Sequence, residues 1–98
     1  MLKMVIKLDE EKIKKEGKYD LRKMYAHLDE NFVKSGLKVE SSGVYTDNGN
    51  KDDLNEFMAL ATVLSDVEWF KKYIKTWDWY EEDLTESENL LKTFEMAV

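Results

Sequence analysis

The chain has 98 residues, enough for one hydrophobic core and too few for two, so residues 1–98 are expected to form a single globular domain. It contains no cysteine, which excludes a disulfide scaffold, a thiolate metal site and a cysteine nucleophile. Its net charge of −6 disfavours direct binding to nucleic acid, because a negative surface repels phosphates.

The first predicted element is a strand from Leu2 to Leu8, since this segment is short, partly alternating and rich in branched side chains. The polar run Asp9–Glu11 ends it, and Glu10–Glu16 is expected to form a turn of helix that Gly17 stops. Residues 1–7 hold only three consecutive apolar residues, far fewer than a signal-peptide core needs, and no later stretch approaches the length of a membrane span. A cytoplasmic location without membrane contact is therefore expected.

The segment from about Asp20 to Ser35 is predicted to be a helix. Its apolar residues recur at helical spacing and form one stripe: Leu21, Met24, Tyr25, Leu28 and Phe32. Asp20 can accept hydrogen bonds from the first free backbone amides, and Gly36 stands where a left-handed residue commonly ends a helix. Leu37 is placed to fold back onto the last turn.

Two short strands joined by a turn are predicted for Leu37 to Thr46. The sequence LKVE precedes the turn-forming run Ser41 to Gly43, and VYT follows it. The polar residues Asp47 to Asp53 are expected to form a loop, with a turn at Asn48 and Gly49.

The segment Leu54–Leu64 is apolar on both faces, so periodicity does not distinguish a buried strand from a buried helix. Ser65 and Glu68 have the spacing of a capping box, which predicts that a new helix begins at Asp66. Because a strand-to-helix corner needs Gly or Pro less than a break between two abutting helices, we favour a strand for about Phe57 to Val63.

An aromatic helix is predicted after Asp66, where large apolar residues recur at helical spacing: Trp69, Phe70, Tyr73, Ile74, Trp77 and Tyr80. Thr85 and Glu88 repeat the capping-box spacing and predict a short last helix to about Glu95. The element order is then β-α-β-β-β-α-α. This order indicates an α+β fold in which a small antiparallel sheet of about four strands has helices packed on one face.

Residues that commonly carry catalysis, metals or nucleotides are sparse. His27 is the only histidine and lies outside the apolar stripe of its predicted helix, so it is expected to be a surface residue. The four glycines are isolated, and no phosphate-binding loop is indicated. The loop Asp47–Asp53 is rich in oxygen ligands but places Asp52 and Met58 where an EF-hand needs Gly and Glu. We predict no catalytic residue, no metal site and no cofactor, and we do not expect an enzyme.

The segment Asp78–Glu88 combines six acidic residues with no Lys or Arg. Trp79, near its start, has two interpretations. If the aromatic helix runs through it, Trp79 is exposed among charged side chains and is the type of residue that anchors protein interfaces. If the helix ends near Thr76, Trp79 tucks back under the last helix. The partner-binding site predicted from this segment consists of Asp78, Trp79, Glu81, Glu82 and Asp83.

Charge is unevenly distributed along the chain. Residues 1–38 carry ten Lys and Arg against seven Asp and Glu, and residues 39–98 carry five against fourteen. The second part, with a net charge of −9, would attract and steer basic protein surfaces. Net charge also serves many proteins only by keeping them apart in solution, and composition alone favours this simpler explanation.

The first predicted function is a small acidic binding module whose partner is a basic macromolecule, a protein rather than a nucleic acid. It would inhibit a nucleic-acid-handling protein by presenting carboxylates where that partner expects phosphates, as some antitoxins, immunity proteins, nuclease inhibitors and anti-defence proteins do. The alternative is a non-catalytic structural or accessory subunit, for example a homodimer that uses Phe57–Leu64 as an interface. The sequence leaves the oligomeric state open.

Overall fold

The computed structural model describes residues 1–82 and 85–96. Within these residues five strands form one antiparallel sheet in a mixed α+β fold, which confirms the predicted class with one strand more. The strands are β1 (Lys3–Leu8), β2 (Lys38–Ser41), β3 (Val44–Thr46), β4 (Ile74–Tyr80) and β5 (Glu88–Asn89). The helices are α1 (Glu10–Glu16), α2 (Leu21–Lys34), α3 (Asp53–Leu64), α4 (Glu68–Tyr73) and α5 (Leu90–Thr93). No helix in these ranges is long and apolar enough to cross a membrane.

The sheet has the order β2-β3-β1-β4-β5, so β1 lies at its centre and is antiparallel to both neighbours. Residues that lie directly opposite each other in such a sheet point to the same face. Met4 is paired with Tyr45 on one side and with Trp79 on the other. Ile6 is paired with Trp77. All of these side chains are buried, and the face that carries them is called the core face below.

Helices cover the core face through aromatic contacts. Three helices each place one ring against a ring of the sheet: Phe32 on Tyr45, Phe57 on Trp79 and Phe70 on Trp77. The ring centroids in these pairs are 3.8, 4.9 and 5.0 Å apart. Aromatic pairs of this kind contribute roughly 0.5–1.5 kcal/mol beyond the burial of their area. The core is therefore an aromatic layer between one face of the sheet and the helices.

The predicted helix over Asp20–Ser35 is present as α2, with the predicted caps. The Asp20 carboxylate accepts hydrogen bonds from two backbone N–H groups of the first turn, at 2.9 and 3.3 Å. At the other end Gly36 adopts a φ of 81°, and the Leu37 N–H donates to the Phe32 carbonyl at 3.0 Å. This hydrogen bond belongs to a Schellman motif, which turns the chain from α2 into β2.

The first strand, the short helix after it and the hairpin are also confirmed. Gly17 ends α1 with a φ of 65°, as its position in the sequence predicts. β2 and β3 pair around the predicted turn, where Gly43 has a φ of 85°. A Cβ atom at Gly43 would lie 2.4 Å from the Ile6 carbonyl oxygen, so only glycine fits between the hairpin and the central strand.

The predicted strand over Phe57–Val63 is wrong, because these residues belong to α3. The buried residues of α3 recur at helical spacing: Asp53, Phe57, Ala61 and Leu64. Leu54 and Val63 of the same helix remain 43% and 60% exposed, on opposite sides of the buried stripe. Because some exposed positions are also apolar, the helical period is hidden in the sequence, while the Ala, Leu and Met content favours a helix.

The predicted aromatic helix is only partly right, because α4 ends at Tyr73 and the chain continues as β4. Trp77 and Trp79 are buried. Thr76, which precedes Trp77, and Asp78, which lies between the two tryptophans, are not buried. This alternation is the period of a strand, and branched and aromatic side chains suit a strand paired on both sides. Pairing with the central strand β1 therefore outweighs the helical spacing of the same aromatic residues.

The two predicted capping boxes do not begin the helices. α4 begins at Glu68, and the Ser65 hydroxyl donates instead to a carbonyl of the preceding turn at 2.6 Å. The last helix is present as α5 but is shorter than predicted. Asn89 caps it by accepting a hydrogen bond from the Leu91 N–H at 3.0 Å.

Candidate functional site

Trp79 is a core residue. Only 3% of it is exposed, and its ring packs edge-on against Phe57 at 4.9 Å. The interpretation of Trp79 as an exposed interface anchor is therefore wrong. The alternative is right that Trp79 is buried, but α4 ends at Tyr73 rather than near Thr76, and Trp79 lies in β4 packed against Phe57 of α3. Because successive residues of a strand point to opposite faces, Asp78 lies on the other face of the sheet, opposite Val5. The structure thus separates the first two residues of the predicted partner site.

The indole of Trp79 fixes one of the predicted carboxylates. Its Nε1–H donates a hydrogen bond to Oε1 of Glu81 at 3.2 Å, while Glu81 itself remains exposed. A hydrogen bond to a charged acceptor contributes about 1.5–3 kcal/mol when the donor is buried, and less when the acceptor is open to solvent. Glu81 consequently has a defined position just beyond the end of β4.

Acidic side chains surround an open cleft beside β4 and β5. The cleft has a volume of about 260 Å³ and is lined by Trp79, Glu81, Glu86, Ser87 and Glu88. Glu82 is exposed and follows Glu81 in the chain, whereas Asp83 lies outside the described residues. The lining contains no Lys or Arg, and no ion pair within residues 1–82 and 85–96 involves these carboxylates. We call the carboxylates of Glu81, Glu82, Glu86 and Glu88 the acidic end.

A second and larger depression lies on the helical side of the molecule. It has a volume of about 510 Å³, and we call it the basic groove. Three elements line it: the loop between α1 and α2, the first turns of α2, and α4. Its residues are Lys18, Tyr19, Asp20, Lys23, Met24, His27 and Trp69. Two lysines, a histidine and two partly exposed aromatic rings therefore share one surface.

Packed rings hold the walls of the basic groove. Trp69 contacts His27 edge-on at 6.0 Å on one side and Phe70 at 6.1 Å on the other. Tyr19 is 48% exposed, but its ring packs edge-on against buried Tyr73 at 5.6 Å. His27 is exposed, as predicted, but its contact with Trp69 was not predicted from the sequence.

A hydrogen-bonded network behind the groove positions Tyr73. Its hydroxyl donates to Oε1 of Glu16 at 2.9 Å, and Lys72 Nζ pairs with the same oxygen at 3.1 Å. The hydrogen bond from Lys72, together with that from Tyr73, lowers the pKa of Glu16. Burial and the hydrogen bond to Glu16 raise the pKa of Tyr73. This network ties α1 to α4 and so supports the wall that Tyr19 forms.

The oxygen-rich loop after β3 has a structural role for one of its acids. Asp53 is 3% exposed, and its Oδ2 accepts hydrogen bonds from the backbone N–H groups of Asn48 (2.7 Å) and Asn50 (3.0 Å). The predicted turn is present, with Gly49 at a φ of 76°. In the part of the chain that the structure describes, no group of three or more His, Cys, Asp or Glu side chains could hold a metal ion.

Sequence reasoning missed the basic groove, because His27 and Trp69 are far apart in the chain and meet only through the packing of α2 and α4. The one available signal is the clustering of Lys18, Tyr19 and Lys23 around the start of α2. No protein-family model matches this chain, and no curated protein matches it either. The two surfaces are therefore compared by their geometry and charge.

Proposed function

We propose that this protein is a non-catalytic binding module that uses the acidic end to engage a basic partner protein. The observation that supports the proposal is the exposure of Glu81, Glu86 and Glu88 around one cleft whose lining contains no positive side chain, with exposed Glu82 next to Glu81 in the chain. Glu81 and Glu88 accept hydrogen bonds from Trp79 and Thr93, but none of the four carboxylates forms an ion pair within residues 1–82 and 85–96, so they can pair with Lys and Arg of another protein. Fixed charges of one sign in a cleft also steer an oppositely charged partner during encounter.

The partner class that fits this surface best is a nucleic-acid-handling protein of the cytoplasm. Such proteins carry lysine and arginine clusters that bind phosphates, and carboxylates on a folded surface offer the same charge. The net charge of −9 on residues 39–98 adds a long-range attraction to a basic surface. The protein would then act as an inhibitor that mimics nucleic acid, in the manner of an antitoxin, an immunity protein or an anti-defence protein.

The burial of Trp79 changes the kinetics expected of this interaction. An exposed tryptophan would slow dissociation, because buried aromatic anchors dominate interface energies. With Trp79 in the core, the acidic end offers charge without such an anchor. We therefore expect association to be fast and binding to weaken steeply as salt is added.

Affinity capture from a bacterial lysate with two charge-matched variants tests this proposal. Glu82→Gln with Glu86→Gln neutralises two carboxylates of the acidic end that form no hydrogen bond within residues 1–82 and 85–96. Glu40→Gln with Asp66→Asn removes the same charge from exposed positions elsewhere. Captured proteins are identified by mass spectrometry at low and at high salt.

The proposal predicts that the native protein and the control variant capture a nucleic-acid-binding protein at low salt, and that DNA or RNA competes for it. The acidic-end variant should lose the same protein. Capture that is equal for all three forms, or that nucleic acid does not affect, would contradict the proposal.

A second candidate function is supported by the exposed apolar residues of α3. Leu54 and Val63 are 43% and 60% exposed, and no charged residue occurs between Glu56 and Asp66. Exposed apolar side chains on this helix suit the alternative of an accessory subunit or homodimer, whose interface would then include α3 rather than a sheet edge.

Sedimentation velocity distinguishes this candidate with a matched pair of valines. Val63→Lys alters the α3 face, and Val33→Lys alters an equally exposed valine, 58% against 60%, on α2. A homodimer through α3 predicts that Val63→Lys alone reduces the sedimentation coefficient. A monomer in all forms would exclude a homodimer.

A further inference from the structure

The basic groove has a preformed floor and walls. Met24 at its base is only 5% exposed, and the rings of Tyr19 and Trp69 are held by edge-on contacts with Tyr73 and Phe70. The groove volume of about 510 Å³ falls within the range of about 300–1,000 Å³ that is typical of ligand sites. A ligand could therefore bury apolar surface here without a large rearrangement of the helices.

The positive charges of the groove are free to bind a ligand. Neither Lys18 nor Lys23 forms an ion pair within residues 1–82 and 85–96. The single carboxylate in the lining, Asp20, already accepts two backbone N–H groups at the start of α2. The groove is thus a positively charged surface on a protein whose net charge is −6.

We propose that the basic groove binds an acidic segment of a partner protein. An apolar or aromatic side chain of the segment packs on Trp69 and Tyr19, and flanking carboxylates pair with Lys18 and Lys23. Trp and Tyr are the residue types that most often dominate interface energies, and lysines at the rim supply charge selectivity. His27, packed edge-on against Trp69, provides a further polar contact.

Charge distribution favours an acidic peptide over a nucleic-acid strand. A strand carries phosphates along its whole length, and those outside the groove would be repelled by a protein whose net charge is −6. A peptide can confine its acids to the few residues that contact the groove. Its side chains can also fill the apolar floor.

This site does not depend on the acidic end. The two surfaces share no residue and have opposite charge.

Peptide binding to immobilised, folded protein tests the proposal. The probes are short synthetic peptides with Trp, Leu or Ala at the centre and an increasing number of flanking glutamates, together with a short oligothymidylate. Lys18→Glu with Lys23→Glu reverses the charge of the groove. Lys38→Glu with Lys51→Glu reverses the same number of exposed lysines elsewhere and serves as the control.

The proposal predicts that affinity rises with glutamate number and is higher for Trp or Leu than for Ala at the centre. Charge reversal in the groove should weaken binding of the best peptide by about tenfold or more, and the control variant should bind it like the native protein. Trp69→Ala should weaken binding similarly, and Trp69→Phe should restore part of it.

Three results would overturn the proposal. They are binding that does not increase with glutamate number, equal binding by the groove and control variants, and tighter binding of the oligothymidylate than of any acidic peptide. Circular dichroism of each variant establishes that the fold is intact before binding is compared.

Discussion

Two tryptophans that lie near charged side chains have opposite roles in this molecule. Trp79 precedes the acidic end and is 3% exposed, whereas Trp69 lines the basic groove and is partly exposed. Strand alternation turns Trp79 into the core, while the short helix α4 leaves Trp69 beside His27 at the surface. A tryptophan beside acids in a sequence therefore indicates an interface only when its secondary structure turns it outward.

The two proposed binding surfaces differ in what they present to a partner. The acidic end has carboxylates without an accessible aromatic ring, so it suits rapid and salt-sensitive contacts. The basic groove combines charge with apolar area, so it suits contacts that last longer. Variants that change the aromatic rings and the charged side chains separately can test this distinction.

The largest effect is expected at Trp79. Trp79→Ala removes a buried ring and should lower the free energy of unfolding by about 3–5 kcal/mol. Trp69→Ala removes a partly exposed ring and should lower it by about 1 kcal/mol or less. Urea unfolding followed by circular dichroism measures both. Similar losses for the two variants would contradict the assignment of one ring to the core and the other to the surface.

Glu81 should contribute to stability as well as to charge. Glu81→Ala removes the acceptor of the Trp79 indole N–H, which should cost about 1 kcal/mol. Glu81→Gln keeps an oxygen acceptor at the same place and is the control. Urea unfolding should therefore distinguish alanine from glutamine at this position. If the two variants were equally stable, the hydrogen bond would have no measurable role.

The carboxylate behind the basic groove should produce a dependence of stability on acid pH. The pKa of Glu16 is lowered from its ordinary value of 4.5, so the charged form stabilises the fold. Its contribution is complete above 4.5 and is lost as pH falls through the lowered pKa. Urea midpoints measured against pH should show a shallower acid decline for Glu16→Gln than for the native protein. An unchanged decline would argue against the network with Lys72 and Tyr73.

The smallest effect on stability is expected at the acidic end. Glu82→Gln with Glu86→Gln should change the free energy of unfolding by less than about 0.5 kcal/mol, because both side chains are exposed and form no ion pair within the described ranges. Thermal unfolding checks this value. A larger loss of stability would mean that these carboxylates stabilise the fold and are not available for binding a partner.

Elements with their own start and stop signals could be predicted from the sequence. Asp20, Gly36 and Leu37 mark the ends of α2 through local interactions that need no tertiary contact. The turn-forming residues Ser41 to Gly43 predict the hairpin in the same local way. β4 could not be assigned, because its residues fit a helix and a strand equally well until the central strand pairs with them. α3 was missed because apolar residues such as Leu54 and Val63 also occupy exposed positions and obscure the helical period.

The candidate sites were less predictable than the fold. The sequence located the acidic carboxylates, but it could not show that Asp78 and Trp79 point to opposite faces, since that depends on β4 being a strand. The basic groove depends on where α4 packs against α2, which no local pattern encodes. The sequence pattern predicted where the acidic side chains lie along the chain. Only the packing of the helices on the sheet determines that Trp79 is buried and that Trp69 lies in the basic groove.

Fluorescence quenching tests the contrast between the two tryptophans most directly. Trp77 and Trp79 are 0% and 3% exposed, so an aqueous quencher should reach Trp69 alone. Because Lys18 and Lys23 line the same groove as Trp69, iodide should quench more strongly than caesium at equal ionic strength, and Trp69→Phe should abolish the effect. Quenching that persists in Trp69→Phe but disappears in Trp79→Phe, or that favours caesium, would contradict the account.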